Sequence, residues 1–455
     1  MKLRKLFAFL VIVSTISIYS IYIIFFFIRF KAVHNEKSLE VLDGQINASF
    51  PITFYHNAYV DQSLRASRPQ TLSAYYMTTR IAMPTRLKVY GFPMEGSCPS
   101  SYGPAKPCFY SAHTFVGNLR AAGGLNKVIV RMGRRNVQLA VKEILKPSEK
   151  GITMCIQPLY YYTQWQNVLL YIEAWRAHGA TRFIVFYHSA NRATRRVLEY
   201  YRELGVIEIR SWPSFGSLPA EIAENYPKID DSSFIFAHFL SNNICVLDIR
   251  TTIGALADFD EVMVPRNGTL LEYATREMEG TNVGALSFGN NYVSMEPSIY
   301  TNRFSGLSSL TFYSKAGPSK FIFNSSVIDL CQIHWVQSFI DKTKKSKSAN
   351  GALLHLRFNV KEYKAKEVKK AFRFFPNNTT VHIQNMENTT RHIFGESPPA
   401  VSLRPLEVLN SCVSRITKKG KTCRSTGGMC KADMDTVDDW IYDKTDGIFV
   451  SESSS

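Results

Sequence analysis

The sequence has no glycine-rich phosphate loop. Neither a G-x-G-x-x-G fingerprint nor a P-loop occurs among its 455 residues, although 25 of them are glycine. A Rossmann-type dehydrogenase or a P-loop kinase therefore has no support. The eight cysteines also lack the spacing of a zinc site. Only one long uncharged hydrophobic run is present, and it lies at the amino terminus.

This hydrophobic run covers residues 6–28 and is long enough to cross a roughly 30 Å hydrocarbon layer as a helix. A cleavable signal peptide is the competing interpretation, but the run is too long and no A-x-A-like site follows it. Basic residues on both sides favour a cytoplasmic amino terminus by a small margin. We therefore predict a cytoplasmic tail over 1–5, a single membrane anchor over 6–28 and a polar stem over 29–50.

Two signals, neither strong alone, place the rest of the chain in an oxidising lumen. The cysteine count is even, which is compatible with disulfides. The chain also carries six Asn-x-Ser/Thr sequons, at Asn47, Asn267, Asn324, Asn377, Asn378 and Asn388. Together with the anchor, these signals predict a type II protein whose large segment is lumenal.

The cysteines fall into local groups and isolated apolar positions. The candidates for local bridges are Cys98 with Cys108, and a group formed by Cys412, Cys423 and Cys430. Three others lie in apolar stretches, where they could be core thiols or longer-range bridges: Cys155, Cys245 and Cys331. The pairing cannot be read from the spacing.

The chain is basic, with 54 Lys and Arg against 37 Asp and Glu and a net charge of +17. The basic residues concentrate in four runs, at 131–135, 342–347, 361–370 and 415–421. Such runs raise the question of nucleic acid, whose phosphates bind clustered Lys and Arg. Because a lumenal location argues against nucleic acid, we interpret the runs as solvated faces that also attract anionic donors or membrane lipids.

The hydrophobic pattern predicts an α/β domain after a β-rich region over 51–148. From residue 149 onward, apolar strands alternate with helices whose apolar residues recur at helical spacing, in the order β-α-β-α-β. This order predicts a mainly parallel sheet with helices on both faces, and ligands that bind at the carboxyl ends of its strands. We place the main domain at 149–400 and a polar, Cys-containing tail at 401–455.

The most informative motif is Asp258-Phe259-Asp260-Glu261, which follows the apolar stretch 253–257. If that stretch is a buried strand, its alternation directs both aspartates to one face and Phe259 into the packing. Three acids in four residues repel one another and are costly to desolvate unless a cation or water compensates them. Mg²⁺ and Mn²⁺ suit such a site. The motif is therefore typical of nucleotide-sugar transferases of the GT-A kind, and a solvated turn with chance acids is the alternative.

Several ordered blocks resemble glycosyltransferase family 92 over about residues 151–357. They are CIQPLYYYTQWQNVLLYIEAWRAHGATRFIVFYHSANRATRRVLEYYRELGVIEIRSW, NNICVLDIRTTIGALADFDEVMVP, SKFIFNSSVIDLCQIHWV and LLHLR. The resemblance implies a GT-A fold, a Golgi location, and metal-dependent inverting transfer of galactose from UDP-galactose to a glycan acceptor. One departure is that the His-Tyr-Arg block of the family is His355-Leu356-Arg357 here, so no tyrosine ring is available at that point.

The resemblance also implies roles for individual residues. A bound Mn²⁺, or another divalent cation, would neutralise the departing diphosphate. Asp260 is the expected direct ligand, whereas Asp258 would contact the donor ribose or reach the metal through water. Glu261 would orient the turn or a ligand. His355 could complete the coordination, with Arg357 near the diphosphate.

The remaining candidates carry weaker signals. An inverting transfer needs a base, and Glu296 is the weak candidate, although an exposed loop acid is the better explanation of this residue. The aromatic run 160–162 could stack on uracil or a sugar, with at least one tyrosine in the core. His334 looks like part of a packed strand, and we discount Asp433-Met434-Asp435 because no apolar strand precedes it.

A second functional class remains open beside the enzyme. The chain could be a membrane-anchored glycan-binding protein without catalytic activity on the same fold. The three clustered acids and the second metal-type ligand favour the enzyme, since a lectin does not need them.

Overall fold

The computed structural model describes residues 37–41, 48–54, 77–83, 86–91, 113–118, 127–132, 135–143, 146–212, 229–232, 238–295, 304–314, 317–357, 366–370, 372–417 and 424–443. The predicted tail at 1–5, the anchor at 6–28 and the candidate base Glu296 lie outside these residues. Within the described part of the chain, every helix is too short or too polar to cross a bilayer.

The described strands before residue 146 form one closed sheet. They are β1 (Lys37–Val41), β2 (Ala48–Phe54), β3 (Met77–Met83), β4 (Arg86–Gly91), β5 (His113–Asn118), β6 (Lys127–Met132) and β7 (Arg135–Glu143). Their order is β1-β2-β5-β4-β3-β7-β6, and β6 pairs back to β1 through Ile129 and Glu40. Strand β1 and the start of β2 fall within 29–50, the segment predicted as a stem.

The later strands are β8 (Glu149–Leu159), β9 (Ala180–Tyr187), β10 (Ser189–Asn191), β11 (Ile207–Ser211), β12 (Thr251–Leu256), β13 (Glu261–Pro265), β14 (Val283–Phe288), β15 (Asn290–Met295), β16 (Leu310–Tyr313), β17 (Lys320–Asn324), β18 (Ile328–Cys331), β19 (Val336–Phe339), β20 (Lys345–Ser348), β21 (Gly351–Leu356), β22 (Glu367–Val368) and β23 (Trp440–Tyr442).

The helices are α1 (Trp165–Ala177), α2 (Arg192–Glu203), α3 (Ile229–Ser232), α4 (His238–Leu247), α5 (Leu270–Met278), α6 (Thr379–Phe394), α7 (Arg404–Thr417), α8 (Thr426–Met429) and α9 (Lys431–Met434), with a 3₁₀ turn at Ser305–Ser308.

The predicted alternation is present as β8-α1-β9-α2-β11, and it builds a central seven-stranded sheet. The strand order is β11-β9-β8-β12-β17-β14-β20. Strands β11, β9, β8 and β12 are parallel neighbours, whereas β17 is antiparallel to both β12 and β14. The sheet is therefore mixed, and the sequence analysis did not identify the reversed strand β17.

Helices cover both faces of this sheet because the strand side chains alternate. Met154 and Ile156 of β8 belong to the core cluster that contains α1, whereas Cys155 between them packs with α4 on the other face. Trp165 and Trp175 of α1 are both fully buried in the first cluster. The predicted α/β domain, with a central sheet and helices on both of its faces, is confirmed.

A second sheet follows directly from the first. After β12 the chain turns at residues 258–260 and enters β13, which begins the order β13-β21-β15-β16-β22. The antiparallel register of β13 and β21 sets Glu261 opposite His355. This pairing brings together two sequence blocks that lie 94 residues apart.

The disulfides resolve part of the cysteine question. Cys155 bridges to Cys245, which ties β8 to α4 through a long-range bond, and Cys412 bridges to Cys430. Cys331 is buried, with its thiol 3.7 Å from Asn243 Oδ1. The candidates Cys98, Cys108 and Cys423 lie outside the described residues.

The segment predicted as a polar tail is packed onto the domain over its described residues. Strand β23 pairs antiparallel with β10, and the phenol of Tyr161 donates to the Gly427 carbonyl at 2.7 Å. Ile416 and Met434 are buried in a cluster with the Cys412–Cys430 bridge. The polar composition of 401–455 conceals these few well-placed apolar side chains.

A buried histidine at the end of α1 predicts acid sensitivity. The Leu270 amide donates to His178 Nδ1, and His178 Nε2 lies 3.1 Å from the Phe374 carbonyl, so the neutral ring joins two segments. Burial lowers the pKa of His178 to about 4. The contribution of the neutral His178 ring to the free energy of unfolding is therefore fully present above the ordinary histidine pKa of about 6.5, and it is lost as the pH falls towards 4.

We expect the free energy of unfolding to fall by roughly 2 kcal/mol from this residue alone between pH 7 and pH 5. Urea unfolding of the full-length protein at the two pH values measures it. The variant His178→Gln removes the titrating group and should show a correspondingly weaker pH dependence. An identical pH dependence in the two proteins would contradict this account.

Candidate active site

The Asp258–Glu261 motif forms a tight turn between the two sheets. Strand β12 ends at Leu256, and the Glu261 amide donates to the Asp258 carbonyl at 2.9 Å. The expectation that strand alternation aligns the two aspartates is therefore wrong, because the strand stops before the motif. Phe259 does point into the core, with its ring centroid 5.0 Å from that of Tyr171.

Glu261, the last residue of the motif, holds the turn through hydrogen bonds on its buried side. Glu261 has only 2 % of its side chain exposed, and its Oε2 accepts from the Asp258 amide at 3.0 Å. The Glu261 carbonyl accepts from the indole N–H of Trp175 at 3.1 Å. The turn is thus fixed through both the backbone and the side chain of one buried residue.

A buried lysine that the sequence analysis did not single out compensates these acids. Lys320 opens β17 next to the end of β12, and its ammonium lies 3.0 Å from Asp258 Oδ2 and 3.3 Å from Glu261 Oε2. Its side chain is 2 % exposed. A buried cation of this kind is stable only where carboxylates pair with it. The signal for it was a lysine at the head of the apolar strand KFIFN.

The other aspartate faces the second sheet. Asp260 Oδ2 lies 3.2 Å from His355 Nε2 and 3.5 Å from Arg357 Nη1. The predicted chain reversal that brings His355 and Arg357 to the motif is therefore present in the structure. The strand pairing of β13 with β21 produces it.

The other ring nitrogen of His355, Nδ1, is held by contacts on the side away from Asp260. Asn290 Nδ2 lies 2.9 Å from His355 Nδ1, and Glu261 Oε1 lies 3.5 Å from the same nitrogen. Asn290 Nδ2 also donates to the Pro318 carbonyl at 3.2 Å. These contacts fix the ring plane and direct Nε2 towards Asp260.

The electrostatics divide the three acids into different roles. Burial alone would raise the pKa of Asp260, but His355 and Arg357 outweigh it and hold that pKa well below its usual range. Burial also opposes ionisation of Asp258, and Lys320 reverses the effect and lowers the pKa of Asp258. The Lys320 ammonium lies closer to Asp258 than to Glu261. Burial therefore outweighs its attraction at Glu261, and the pKa of Glu261 stays raised.

The donor set near Asp260 fits a small divalent cation with two protein ligands. A carboxylate oxygen and an imidazole nitrogen lie 3.2 Å apart at a partly exposed position, and Mg²⁺ and Mn²⁺ fill their other positions with water and phosphate oxygens. Within the residues described here, no three His, Cys, Asp or Glu side chains form a closed metal cage. Mg²⁺ is usually bound through one or two carboxylates together with water and substrate phosphates, so a site with few protein ligands is compatible with a cation that binds with its substrate.

The carboxyl ends of the parallel strands carry aromatic side chains beside the motif. Tyr162 packs on Phe259 with ring centroids 5.6 Å apart, whereas the Tyr160 hydroxyl accepts from the Trp212 indole at 3.0 Å. Tyr161 is buried with a φ of 52°, and its hydroxyl donates a hydrogen bond to the Gly427 carbonyl. The expectation that at least one of these tyrosines is ordinary core therefore holds for Tyr161.

Two other candidates also have a clear place. His334 lies in the turn that joins β18 and β19 rather than in a strand, and its Nδ1 is 3.0 Å from the Ser319 carbonyl. Asp433 and Asp435 pair with Arg415 and Lys431 at the protein surface. The second D-x-D triplet is therefore a set of exposed ion pairs.

A surface cleft between α1, α2 and α6 lies at the opposite end of the central sheet. It is lined by residues at the start of β9, such as Thr181, and by Tyr200, Arg176 and His382. None of the acid-turn residues contributes to its wall. The cleft is therefore separate from the site built on Asp258 and Asp260.

The comparison with protein families supplies the identification. The family model of glycosyltransferase family 92 matches residues 150–394, which is more than half of the chain. The chain belongs to glycosyltransferase family 92. All the residues that form the acid turn and its partners, from Asp258 to Arg357, lie inside the matched range.

Two curated relatives from Caenorhabditis elegans belong to the same family. One glycosyltransferase family 92 protein is 28 % identical over 137 residues, which cover 29 % of this chain and 26 % of that protein. Another is 20 % identical over 222 residues, which cover 47 % of this chain and 44 % of that protein. The matched stretches thus span less than half of the length of either relative.

Among solved structures, the chain is similar to glucosyl-3-phosphoglycerate synthase from Mycobacterium tuberculosis in complex with phosphoglyceric acid. The two are 10 % identical with a TM-score of 0.26, and the match covers 47 % of this chain and 75 % of the other. So distant a likeness carries no argument about the site.

Removal of Lys320 is predicted to have a large effect, because both side chains of its pair with Glu261 are buried, although Asp258 is 41 % exposed. The variant Lys320→Met leaves Asp258 and Glu261 without their shared cation, and breaking a buried pair in this way costs about 3–5 kcal/mol. The control is Lys347→Met, because Lys347 pairs with Glu277 at 2.8 Å but is 53 % exposed. Such an exposed pair contributes much less to stability than a buried one does.

Urea unfolding of the full-length variants measures both costs. We expect Lys320→Met to lower the unfolding midpoint much more than Lys347→Met does. Equal and small changes in the two variants would show that Lys320 does not compensate the acid turn.

Proposed function

We propose that this chain is a metal-dependent inverting glycosyltransferase that transfers a hexose from a nucleotide sugar to a glycan acceptor. The observation that carries the proposal is the pairing of Asp260 with His355 at 3.2 Å, with Arg357 at 3.5 Å from the same carboxylate. A carboxylate, an imidazole and a guanidinium at one partly exposed point suit a cation and a diphosphate together.

The metal is the first part of the proposal. Asp260 and His355 would hold a Mn²⁺ or another divalent cation. Asp258 would contact the donor ribose or reach the cation through water. When bound, the cation supplies charge neutralisation for the diphosphate that leaves. Lys320 keeps part of the acidic charge of Asp258 compensated, so the turn does not depend on the cation for all of its stability.

The protein residues have separate tasks in this proposal. Arg357 is 36 % exposed, so its guanidinium can reach a phosphate oxygen as the bond to the sugar breaks. Asn290 and Glu261 hold the His355 ring in one orientation. Phe259 anchors the turn in the core, which fixes the position of Asp260 relative to the substrate.

The surroundings of the motif support a GT-A type of nucleotide-sugar site. The acid turn follows the carboxyl end of β12, beside the carboxyl ends of the parallel strands β8, β9 and β11. Ligands of open α/β sheets bind at this edge. Family membership adds the expectation that the donor is UDP-galactose, and that an amino-terminal anchor holds the domain in the Golgi lumen as a single-pass type II protein.

The alternative is a glycan-binding protein without turnover. It requires no cation at Asp260, and it predicts glycan retention without consumption of a nucleotide sugar. The closely paired Asp260 and His355 favour the enzyme, because a lectin site gains nothing from placing these two donors together.

The proposal predicts that purified full-length protein releases UDP from UDP-galactose only with Mn²⁺ present. The variant Asp260→Asn should lower the rate at least roughly 100-fold, since it removes the charge that faces the cation. The replacement keeps the shape of the side chain but removes the charge that pairs with His355 and Arg357, so a lower melting temperature is expected, and the rate is measured at a temperature at which the variant is folded. A matched control is Asp433→Asn, which alters the exposed second D-x-D triplet and should keep full activity.

UDP release is followed with several UDP-sugars, with and without Mn²⁺. A different preferred donor would change the donor assignment and leave the reaction class intact. Release that is independent of the metal, or equal in Asp260→Asn and the unchanged protein, would refute the proposed function.

A further inference from the structure

An exposed tryptophan lies on a hairpin next to the acid turn. Trp335 is 42 % exposed, and it belongs to the turn that joins β18 to β19, where the Gln332 amide donates to the Trp335 carbonyl at 2.9 Å. Among the described residues, the only other large apolar side chains exposed to this degree are Leu204 and Val381. The exposed part of the indole is apolar surface that a ligand can cover with a gain in free energy.

The end of β18, next to the turn, is held by a neighbouring helix. The side chain of Asn243 on α4 donates to the Cys331 carbonyl at 2.9 Å and accepts from the Cys331 amide at 3.0 Å. Farther along, Gln332 Nε2 donates to Gln337 Oε1 at 2.8 Å across the hairpin. These hydrogen bonds hold the chain on both sides of the turn that carries Trp335.

The tip is joined to the acid turn through Ser319 and Lys320. His334 Nδ1 lies 3.0 Å from the Ser319 carbonyl, and the Ser319 hydroxyl lies 3.4 Å from the His334 carbonyl. Ser319 precedes Lys320, whose ammonium pairs with Asp258. Burial and the charge of Lys320 lower the pKa of His334. His334, the residue before Trp335, thus contacts Ser319, the residue before Lys320, and Lys320 pairs with the acids.

We propose that Trp335 is a stacking platform for a sugar ring of the acceptor glycan. The inference rests on the proposed function and deepens it by naming a subsite. An indole presents a flat apolar face with a polar edge, and such amphipathic rings suit ligands that are part apolar and part hydrated. A pyranose has this character, because its axial C–H groups form an apolar face while its hydroxyls remain in water.

The position favours the acceptor over the donor. The donor nucleotide is expected at the carboxyl ends of the parallel strands, on the β8 side of β12. Trp335 approaches from the opposite side, through β17 and the β18–β19 hairpin. An acceptor must enter from a side that the donor leaves open, and the tryptophan lies on that side.

A glycan array probed with full-length protein tests this subsite. Immobilised N-glycans with terminal galactose, fucose or N-acetylglucosamine serve as probes, with UDP and Mn²⁺ present and no donor sugar, so that no transfer occurs. Trp335→Ala should weaken glycan binding at least tenfold. Trp335→Tyr keeps an aromatic face and should stay within about threefold of the unchanged protein.

Two controls separate the subsite from general damage and from the proposed reaction. Leu204→Ala changes another exposed apolar side chain, 54 % exposed at the end of α2, and should leave glycan binding unchanged. Acceptor-free release of UDP from UDP-galactose should be unchanged in Trp335→Ala. If no variant releases UDP while glycan binding still depends on Trp335, the proposed function fails and the subsite stands.

Full glycan binding by Trp335→Ala would overturn the subsite while leaving the proposed function intact. Absence of any glycan-dependent signal from the unchanged protein under these conditions would overturn it as well. Equal losses in Trp335→Ala and Leu204→Ala would also contradict it, because they would indicate general damage rather than a lost platform.

Discussion

Charge compensation around three acids is the constraint on which the rest of the site depends. Asp258, Asp260 and Glu261 lie in one tight turn, and their mutual repulsion would open the turn if nothing balanced it. Lys320 balances the two acids on one side, and His355 with Arg357 balances Asp260 on the other. The turn is therefore held closed before any ligand binds.

The same compensation links the two sheets of the domain. Lys320 comes from β17 of the central sheet, whereas His355 comes from β21 of the second sheet. The motif joins β12 to β13, so it passes from one sheet to the other between these two cations. A rigid connection of this kind places Asp260 at a fixed distance from any substrate bound along the strand ends.

Local patterns allowed the central architecture to be predicted from the sequence. Helical spacing of apolar residues identified α1 and α2, and the apolar runs between them identified β8, β9 and β11, because these signals depend only on neighbours in the chain. The family blocks then placed His355 and Arg357 near the motif. That placement needed the resemblance, since the segment between Glu261 and His355 contains no local signal for their pairing.

The features that were missed depend on contacts between distant residues. The reversed strand β17 and the ion pairs of Lys320 arise only when the sheet is assembled, so a lysine in KFIFN looked like an ordinary strand end. The aspartates were assigned to a strand because the apolar run reaches Ala257, whereas the Glu261 side chain draws the backbone into a turn. The few apolar residues that pack the described part of 401–455, such as Ile416 and Met434, were hidden by polar neighbours.

The most direct test of the central claim is anomalous diffraction at the manganese edge from crystals of the protein grown with Mn²⁺ and UDP. The account predicts one strong peak coordinated by both Asp260 and His355, with the UDP diphosphate on its open side and Lys320 still paired with Asp258. A UDP complex with no manganese at this position, or with the metal bound elsewhere, would contradict it.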